Sequence, residues 1–289
     1  MKEVKYSRKS LITFFLLVIG FSAIWETVYI MGGPEWAVAV LMWVPAFSAF
    51  IAAIVNIREK GEKFSFKKTD PLMGIKRCKI GYVFLGILIP FIYLFIPYRI
   101  YWTMHPENFG YTGVPFAIIM KDLAVYSVVM VLVSMMTATG EELGWRGFML
   151  PALLERMDEK KAMLAVGLFW GAWHLPILVS GGYMDGTSLG YRVVAFMLHI
   201  IPVAIISAIL AIKSGSVWPS AFLHASHNAF DQAVFQAITI GDDKMYYVSE
   251  TGVFTIICAW VIAIVMYVIF VRTQSENAAE KGVSDSGTL

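Results

Sequence analysis

Long apolar runs alternate with short polar segments along the whole chain. Eight of these runs approach the length of about 20 residues that an α-helix needs to cross the hydrocarbon core of a bilayer. They cover about 10–32, 36–56, 80–98, 115–139, 162–182, 191–212, 216–239 and 252–271. The pattern therefore predicts an all-α polytopic membrane protein with about eight transmembrane helices.

Basic residues are concentrated in some of the polar segments and scarce in the others. They are concentrated in residues 2–9, 58–79 and 155–161. Residues 33–35 contain no Lys or Arg, and residues 241–250 are net acidic. Because the cytoplasmic loops of membrane proteins carry an excess of Lys and Arg, we expect both termini in the cytoplasm and an even number of spans.

The composition agrees with a membrane protein. Of the 289 residues, 58% are hydrophobic and 15% are charged, whereas soluble domains have about 45–50% apolar and about 25% charged residues. Two cysteines, Cys78 and Cys258, are too few for a disulfide framework. We expect residues 1–273 to form one transmembrane domain with its functional core at about 115–240. The small, polar residues 274–289 are expected to form a disordered C-terminal tail.

Ionisable side chains inside the apolar runs are the candidates for function, because they cost free energy in a membrane and mark functional positions by default. The candidates on the fourth to seventh runs are Glu141, Glu142, Arg146, His174, His199, His224, His227, Asn228 and Asp231. A single intramembrane histidine such as His199 is expected to form a hydrogen bond between helices. We expect His227 to be structural, and Asp231 has no assigned role.

Helical spacing shows which of the main candidate residues share a helix face. Glu142 and Arg146 are four residues apart, so they share a helix face and can pair, whereas Glu141 points away from that face. His224 and Asn228 are also four residues apart. With the orientation given above, these groups fall in the cytoplasmic half of their spans. We therefore expect them to surround a polar cavity that faces the cytoplasm.

Such a cavity favours hydrolytic chemistry. A desolvated carboxylate with two imidazoles can activate a water molecule, and an imidazole and an amide can donate to a developing oxyanion. Glu141, His174 and His224 could instead hold a zinc ion that keeps one coordination position open. Peptide hydrolysis fits either version.

Three motifs in order resemble the CPBP family, which includes the type II CAAX prenyl proteases and the bacterial Abi or bacteriocin-processing proteins. "EELGWR" at 141–146 matches E-E-x-x-x-R, and "HASHN" at 224–228 matches H-x-x-x-N. Between them, "WGAWH" at 170–174 takes the place of F-x-x-x-H. The resemblance covers about 137–230. One departure is Trp170, which stands where phenylalanine is usual, and we expect either ring to fill the same wall.

The resemblance implies an intramembrane endopeptidase that cleaves a lipidated or hydrophobic peptide, working either without a metal or with zinc. Glu141 takes the position of the glutamate that activates water, and His174 that of the histidine working with it. His224 and Asn228 take the positions that polarise the scissile carbonyl group.

Supporting residues complete the expected site. By the same resemblance, Glu142 and Arg146 form a structural pair. Aromatic side chains nearby would form an apolar wall suited to a greasy substrate, and these are Trp145, Phe169, Trp170 and Trp173. The expected partners are that substrate and membrane lipids, with no nucleic acid. The expected location is a prokaryotic cell membrane.

Two other functions stay open at this point. The chain could be a non-catalytic membrane partner with the same fold, such as a bacteriocin self-immunity protein or a regulatory scaffold. It could also be a small secondary transporter, because buried acids and histidines form proton relays. The absence of an inverted repeat in the sequence counts against a transporter.

Overall fold

The computed structural model describes residues 5–111 and 113–286, which fold into a bundle of helices. Residues 2–4 of the basic N-terminus and 287–289 of the expected tail lie outside the described residues. The α-helices are α1 (Arg8–Ile30), α2 (Trp36–Glu59), α3 (Phe66–Thr69), α4 (Ile80–Met104), α5 (Phe116–Glu142), α6 (Leu150–Leu154), α7 (Glu159–Ser180), α8 (Leu189–Ser214), α9 (Trp218–Asn228), α10 (Lys244–Tyr247) and α11 (Val253–Ser286). Two π-helical segments, Leu143–Met149 and Ala229–Phe235, continue α5 and α9, and two 3₁₀ turns cover Asp70–Leu72 and Pro106–Asn108.

Within the described residues, seven helical stretches are long and apolar enough to cross a membrane. They coincide with seven of the eight predicted runs, so the prediction of an all-α polytopic membrane protein is confirmed. The remaining run, 216–239, forms α9 and the π-segment Ala229–Phe235. This helical stretch is less apolar than the others because it carries His224, His227 and Asp231 on buried positions.

The segment from α9 to Thr239 nevertheless extends along most of the length of α4. Near the start of α9, Gly86 of α4 packs so closely on the Pro219 carbonyl that no side chain fits between them. At the far end, Trp102 Nε1 donates a hydrogen bond of 3.0 Å to Thr239 Oγ1. The two helical stretches therefore run parallel, and α9 with the segment after it passes through the bundle beside α4.

The basic segments meet at one end of the bundle. The Lys5 backbone N–H donates to Glu155 Oε1 at 3.1 Å, and Lys5 Nζ donates to the Pro71 carbonyl at 2.9 Å. Near the other terminus, Gln274 Nε2 donates to Glu159 Oε1 at 2.8 Å. Residues 5 and 274 thus lie at the same end, as an even number of crossings requires.

The fourth span continues further than its apolar run indicates. The run was expected to close near residue 139, but α5 passes through the π-segment Leu143–Met149 into α6 and stays helical to Leu154. At 1.5 Å per residue, Glu141 lies roughly 20 Å along the helix from the basic end of the bundle. Glu141 therefore lies further from the basic segments than the apolar run indicates.

The C-terminal helix also extends beyond the expected boundary. α11 runs to Ser286, so the backbone is helical through most of the segment 274–289 for which the sequence predicts a disordered tail. Its "ENAAEK" stretch is made largely of good helix formers. The hydrogen bond between Gln274 and Glu159 ties the start of this stretch to α7.

Close packing of the π-segment Leu143–Met149 on α2 generates a stability prediction. A Cβ atom on Gly144 would lie 2.8 Å from the carbonyl carbon of Pro45, which has no flexible end that could move away. We expect Gly144→Ala to lower the free energy of unfolding by about 1–3 kcal/mol, as overpacking does in other cores. Gly20→Ala is the matched control, since nothing lies within 4 Å of a Cβ there. Unfolding followed in detergent for both variants tests this, and equal midpoints would contradict the packing argument.

Candidate functional site

Glu141 lies at the end of α5 and is almost completely buried, with 1% of its surface exposed. Its Oε2 atom accepts hydrogen bonds from two indole N–H groups, Trp170 Nε1 at 2.7 Å and Trp145 Nε1 at 3.2 Å. Both donors are neutral. The carboxylate is therefore oriented by hydrogen bonds without a direct ion pair to a cation.

Glu142 has a different set of partners, as the helical rotation between adjacent residues requires. Its Oε1 atom accepts from Arg146 Nη1 at 2.8 Å and lies 3.0 Å from His224 Nδ1. Ser207 Oγ donates to Oε2 at 3.4 Å. The pair of Glu142 and Arg146 expected from the spacing is thus present, and it also links α5 to α8 and α9.

Trp170 is the centre of the site. Its indole N–H binds Glu141, and its carbonyl oxygen accepts from His174 Nδ1 at 2.8 Å. The Arg146 guanidinium carbon lies 4.3 Å from the centre of its ring, a cation–π contact. The His224 ring centroid is 5.3 Å away. A phenylalanine at this position would fill the same space but would not donate to Glu141.

The tautomer of His174 follows from its hydrogen bond. A carbonyl oxygen only accepts, so Nδ1 carries the proton, and in the neutral ring Nε2 is left with a free lone pair. The ring packs edge-on against Trp173, with centroids 4.9 Å apart, and stacks with Tyr183 at 6.0 Å. These contacts fix the direction in which Nε2 can accept a proton.

The candidate residues from three helices line one cavity of about 150 Å³. Its polar lining comes from Glu141, His174, His224 and Asn228, together with Tyr183 and Gln232. Its apolar lining includes Leu41, Met42, Trp173 and Ile177. The structure therefore brings together the four residues that the motifs pick out as the reaction centre, and it gives them a partly apolar surrounding.

The cavity lies toward the end of the bundle that lacks basic clusters. It is lined by Tyr29 in the last turn of α1, Val38 in the first turn of α2, and Gly182 just after α7. Tyr29 Oη also donates to the Gly182 carbonyl at 3.3 Å. The sequence predicts a cavity at the end of the bundle where the basic segments lie. The structure places the cavity toward the other end, and several turns of α5 and α7 separate it from the basic segments.

Two of the four expected wall residues have a different role. Trp145 is fully buried; it donates to Glu141 and packs edge-on against Phe14. Phe169 packs against Phe15 and Trp145, in the contact between α7 and α1. Trp173 lines the large cavity, and Trp170 lines a smaller one beside it. The expectation of a continuous aromatic wall is therefore wrong for Trp145 and Phe169.

A zinc ion held by Glu141, His174 and His224 does not fit the arrangement of these side chains. The donor types suit zinc, but the three residues do not bring one ligand atom each within 4.8 Å of one another. We therefore derive no chemical step through a metal at this position.

Two residues near the site were not identified from the sequence. Tyr183 lies in "GGYMDG", which reads as a turn, and Glu250 lies in a short polar segment before α11. In the structure Tyr183 Oη donates to Glu250 Oε1 at 2.6 Å, and the Tyr183 ring stacks with His174. No spacing rule links positions this far apart in the chain, so only the fold could reveal their contact.

Comparison with known proteins agrees with the motifs. Residues 123–230 match the family model described as "Type II CAAX prenyl endopeptidase Rce1-like". A curated relative, CAAX prenyl protease 2 from Methanococcus maripaludis, is 33% identical over 138 residues, which are 46% of this chain and 47% of the relative. The chain thus matches about half the length of that relative. The resemblance to the type II CAAX prenyl proteases is confirmed over this segment, which contains all three motifs.

The buried ion pair generates a second prediction. Both side chains of Glu142 and Arg146 are inaccessible to solvent, so Arg146→Met would leave the carboxylate without its guanidinium partner. We expect a loss of about 3–5 kcal/mol in the free energy of unfolding. Lys161→Met is the control, because Lys161 pairs with Asp158 at 2.8 Å on an exposed surface; exposed pairs contribute about 1 kcal/mol or less. Unfolding in detergent measures both, and equal losses would contradict the role given to Arg146.

Proposed function

We propose that this protein is an intramembrane endopeptidase of the CAAX-protease type, which hydrolyses a peptide bond of a lipidated or hydrophobic peptide. The observation that carries the proposal is the common cavity of Glu141, His174, His224 and Asn228, all four of which lie in the segment matched by the family model. A water-reachable carboxylate beside two imidazoles and an amide is suited to hydrolysis.

In the proposed reaction, Glu141 and His174 activate a water molecule. The indole N–H groups hold Glu141 Oε2, so the rest of the carboxylate can accept a proton from water. His174 Nε2 accepts the second hydrogen of the same water and orients its lone pair toward the scissile carbonyl carbon. The water oxygen then forms the new C–O bond as its proton passes to Glu141.

His224 and Asn228 then stabilise the tetrahedral intermediate. The Asn228 amide and the His224 imidazole donate to the oxyanion, and Glu142 beside His224 Nδ1 stabilises a positive charge on that ring. Collapse of the intermediate breaks the C–N bond, and Glu141 returns its proton to the leaving amine. Protons and electrons balance without a metal ion, so we propose the metal-free mechanism.

The surroundings of the site support a hydrophobic substrate. Leu41, Met42, Trp173 and Ile177 line the cavity next to the reacting groups. A peptide that enters from the lipid phase buries apolar side chains or a lipid group against these residues and presents one carbonyl to Glu141. The cavity thus fits the substrate class that the family resemblance implies.

The proposed orientation determines the side from which the substrate arrives. By the positive-inside rule, the end formed by Lys5, 58–79 and Glu155 faces the cytoplasm of a prokaryotic cell membrane. The cavity, which lies toward the other end, then takes its substrate from the outer half of the membrane. The side-chain geometry of the site is the same in either orientation.

The first test of this function removes the proposed base. Glu141→Gln keeps the shape and the acceptor oxygen of the side chain but does not take up a proton. We expect cleavage of a farnesylated C-terminal peptide in proteoliposomes to fall by at least about 1,000-fold. Glu107→Gln, on an exposed turn, is the control and should retain activity. Turnover that persists in folded Glu141→Gln protein would exclude Glu141 as the base.

A second test addresses the hydrogen bond that distinguishes this site. Trp170→Phe removes the indole N–H but keeps an aromatic ring against Arg146 and His224. A hydrogen bond to a charged group contributes about 1.5–3 kcal/mol, and Trp145 donates to the same oxygen. We therefore expect kcat to fall about tenfold with little change in KM. Trp260→Phe, which loses an N–H bond to the Leu198 carbonyl, is the matched control. An unchanged kcat would show that Trp170 acts only as a wall.

A further inference from the structure

A second buried polar cluster lies one helical turn beyond His224. It consists of His227 at the end of α9, Asp231 in the following π-segment and Glu250 just before α11, with exposures of 5%, 0% and 4%. One potential ligand atom from each lies within 4.8 Å of the others. His227 Nε2 and Glu250 Oε1 are 3.4 Å apart. Two ligands of a tetrahedral zinc ion, bound at about 2.0–2.2 Å, are separated by roughly the same distance.

The cluster contains two buried carboxyl groups and one imidazole, so it has more acidic than basic groups. Asp231 and Glu250 are both carboxyl groups, and among the described residues no Lys or Arg forms an ion pair with either. The hydrogen bonds to Asp231 come from neutral groups, Tyr98, Ser249 and Gln236. Buried charges in proteins are paired or coordinate metals. A divalent cation would balance two carboxylates in full, which a protonated His227 alone would not.

Outer hydrogen bonds hold the three groups as they hold the ligands of known metal sites. His227 Nδ1 lies 2.8 Å from Tyr93 Oη, which leaves Nε2 directed at Glu250. Glu250 Oε1 accepts from Tyr183 Oη at 2.6 Å and from Gln232 Nε2 at 3.0 Å. Partners of this kind orient ligating imidazoles and carboxylates.

His199 supplies an independent observation. It is 2% exposed, and neither ring nitrogen has a hydrogen-bond partner among the described residues. The expectation of a helix–helix hydrogen bond at His199 is therefore wrong. Its ring stacks on His227 with centroids 5.4 Å apart. Both rings and Glu250 line a cavity of about 20 Å³, which His174, His224 and Asn228 also line. This volume is room for one small ion or one water molecule.

We propose that His227, Asp231 and Glu250 bind one divalent transition-metal ion, with Zn²⁺ as the ion that their nitrogen and oxygen donors favour. His199 stacks on His227 beside these ligands. These ligands are different residues from the proposed reaction centre, although His174, His224 and Asn228 line the same small cavity. Bound metal joins α9 to the segment before α11. Through Glu250 it also holds Tyr183, whose ring stacks with His174, so the metal acts as a structural clamp beside the reaction centre.

Metal analysis of the purified full-length protein tests the proposal. Wild-type protein is stripped with a chelator, dialysed against Zn²⁺ alone and measured by mass spectrometry for metal content. We expect about one zinc per chain. The double variant Glu141→Gln, His174→Gln should bind the same amount, whereas Asp231→Asn and Glu250→Gln should bind at least 100-fold more weakly. Tyr93→Phe removes one outer hydrogen bond and should weaken binding by about 10–100-fold.

A spectroscopic measurement keeps the proposal testable if the ligand variants fail to fold. Zinc-edge X-ray absorption of the wild-type protein should show only nitrogen and oxygen ligands at about 2.0–2.2 Å, with scattering from imidazole rings. Wild-type protein that takes up no zinc would overturn the proposal, as would zinc that is lost in the double variant at Glu141 and His174. Because the experiment measures metal content, its result is independent of whether the protein cleaves peptides.

Discussion

The two adjacent carboxylates at the end of α5 impose the constraint on which the rest of this site depends. Consecutive helical residues point in directions about 100° apart, so two buried charges at neighbouring positions need two separate environments. Glu142 is neutralised by Arg146 and linked to His224, which ties α5 to α9. Among the described residues, the hydrogen bonds to Glu141 come from two neutral indole groups, so one carboxylate oxygen is not committed to an ion pair. Separate environments give the two acids separate roles.

Trp170 connects these two environments. One side chain donates to Glu141, carries the Arg146 guanidinium on its ring face and packs near His224, while its carbonyl sets the tautomer of His174. The geometry of the reaction centre thus depends on the position of a single aromatic residue in α7. The ion pair of Glu142 and Arg146 and the carboxylate of the proposed base Glu141 both contact Trp170, so a shift of this side chain would change both.

The sequence predicts the features that depend on neighbouring residues in a helix. It does not predict contacts between segments that are distant in the chain. Apolar runs located seven spans, and i,i+4 spacing predicted the pairing of Glu142 with Arg146. The depth of Glu141 was missed, because hydropathy does not register that α5 continues as a helix through a π-segment. The contact of Tyr183 with Glu250 joins segments 67 residues apart, and no periodic pattern encodes it.

The polar crossing formed by α9 has a consequence for biogenesis. This stretch carries Asp231 and two histidines, which disfavour its insertion into lipid as a single helix. One aspartate at the centre of a helix costs about 2.5–3.5 kcal/mol on insertion scales. Its groove is prepared by α4, on which Gly86 leaves room for the Pro219 backbone, and by α8, which precedes it in the chain. We therefore expect α9 to enter the membrane together with α8, after the helices that form its groove.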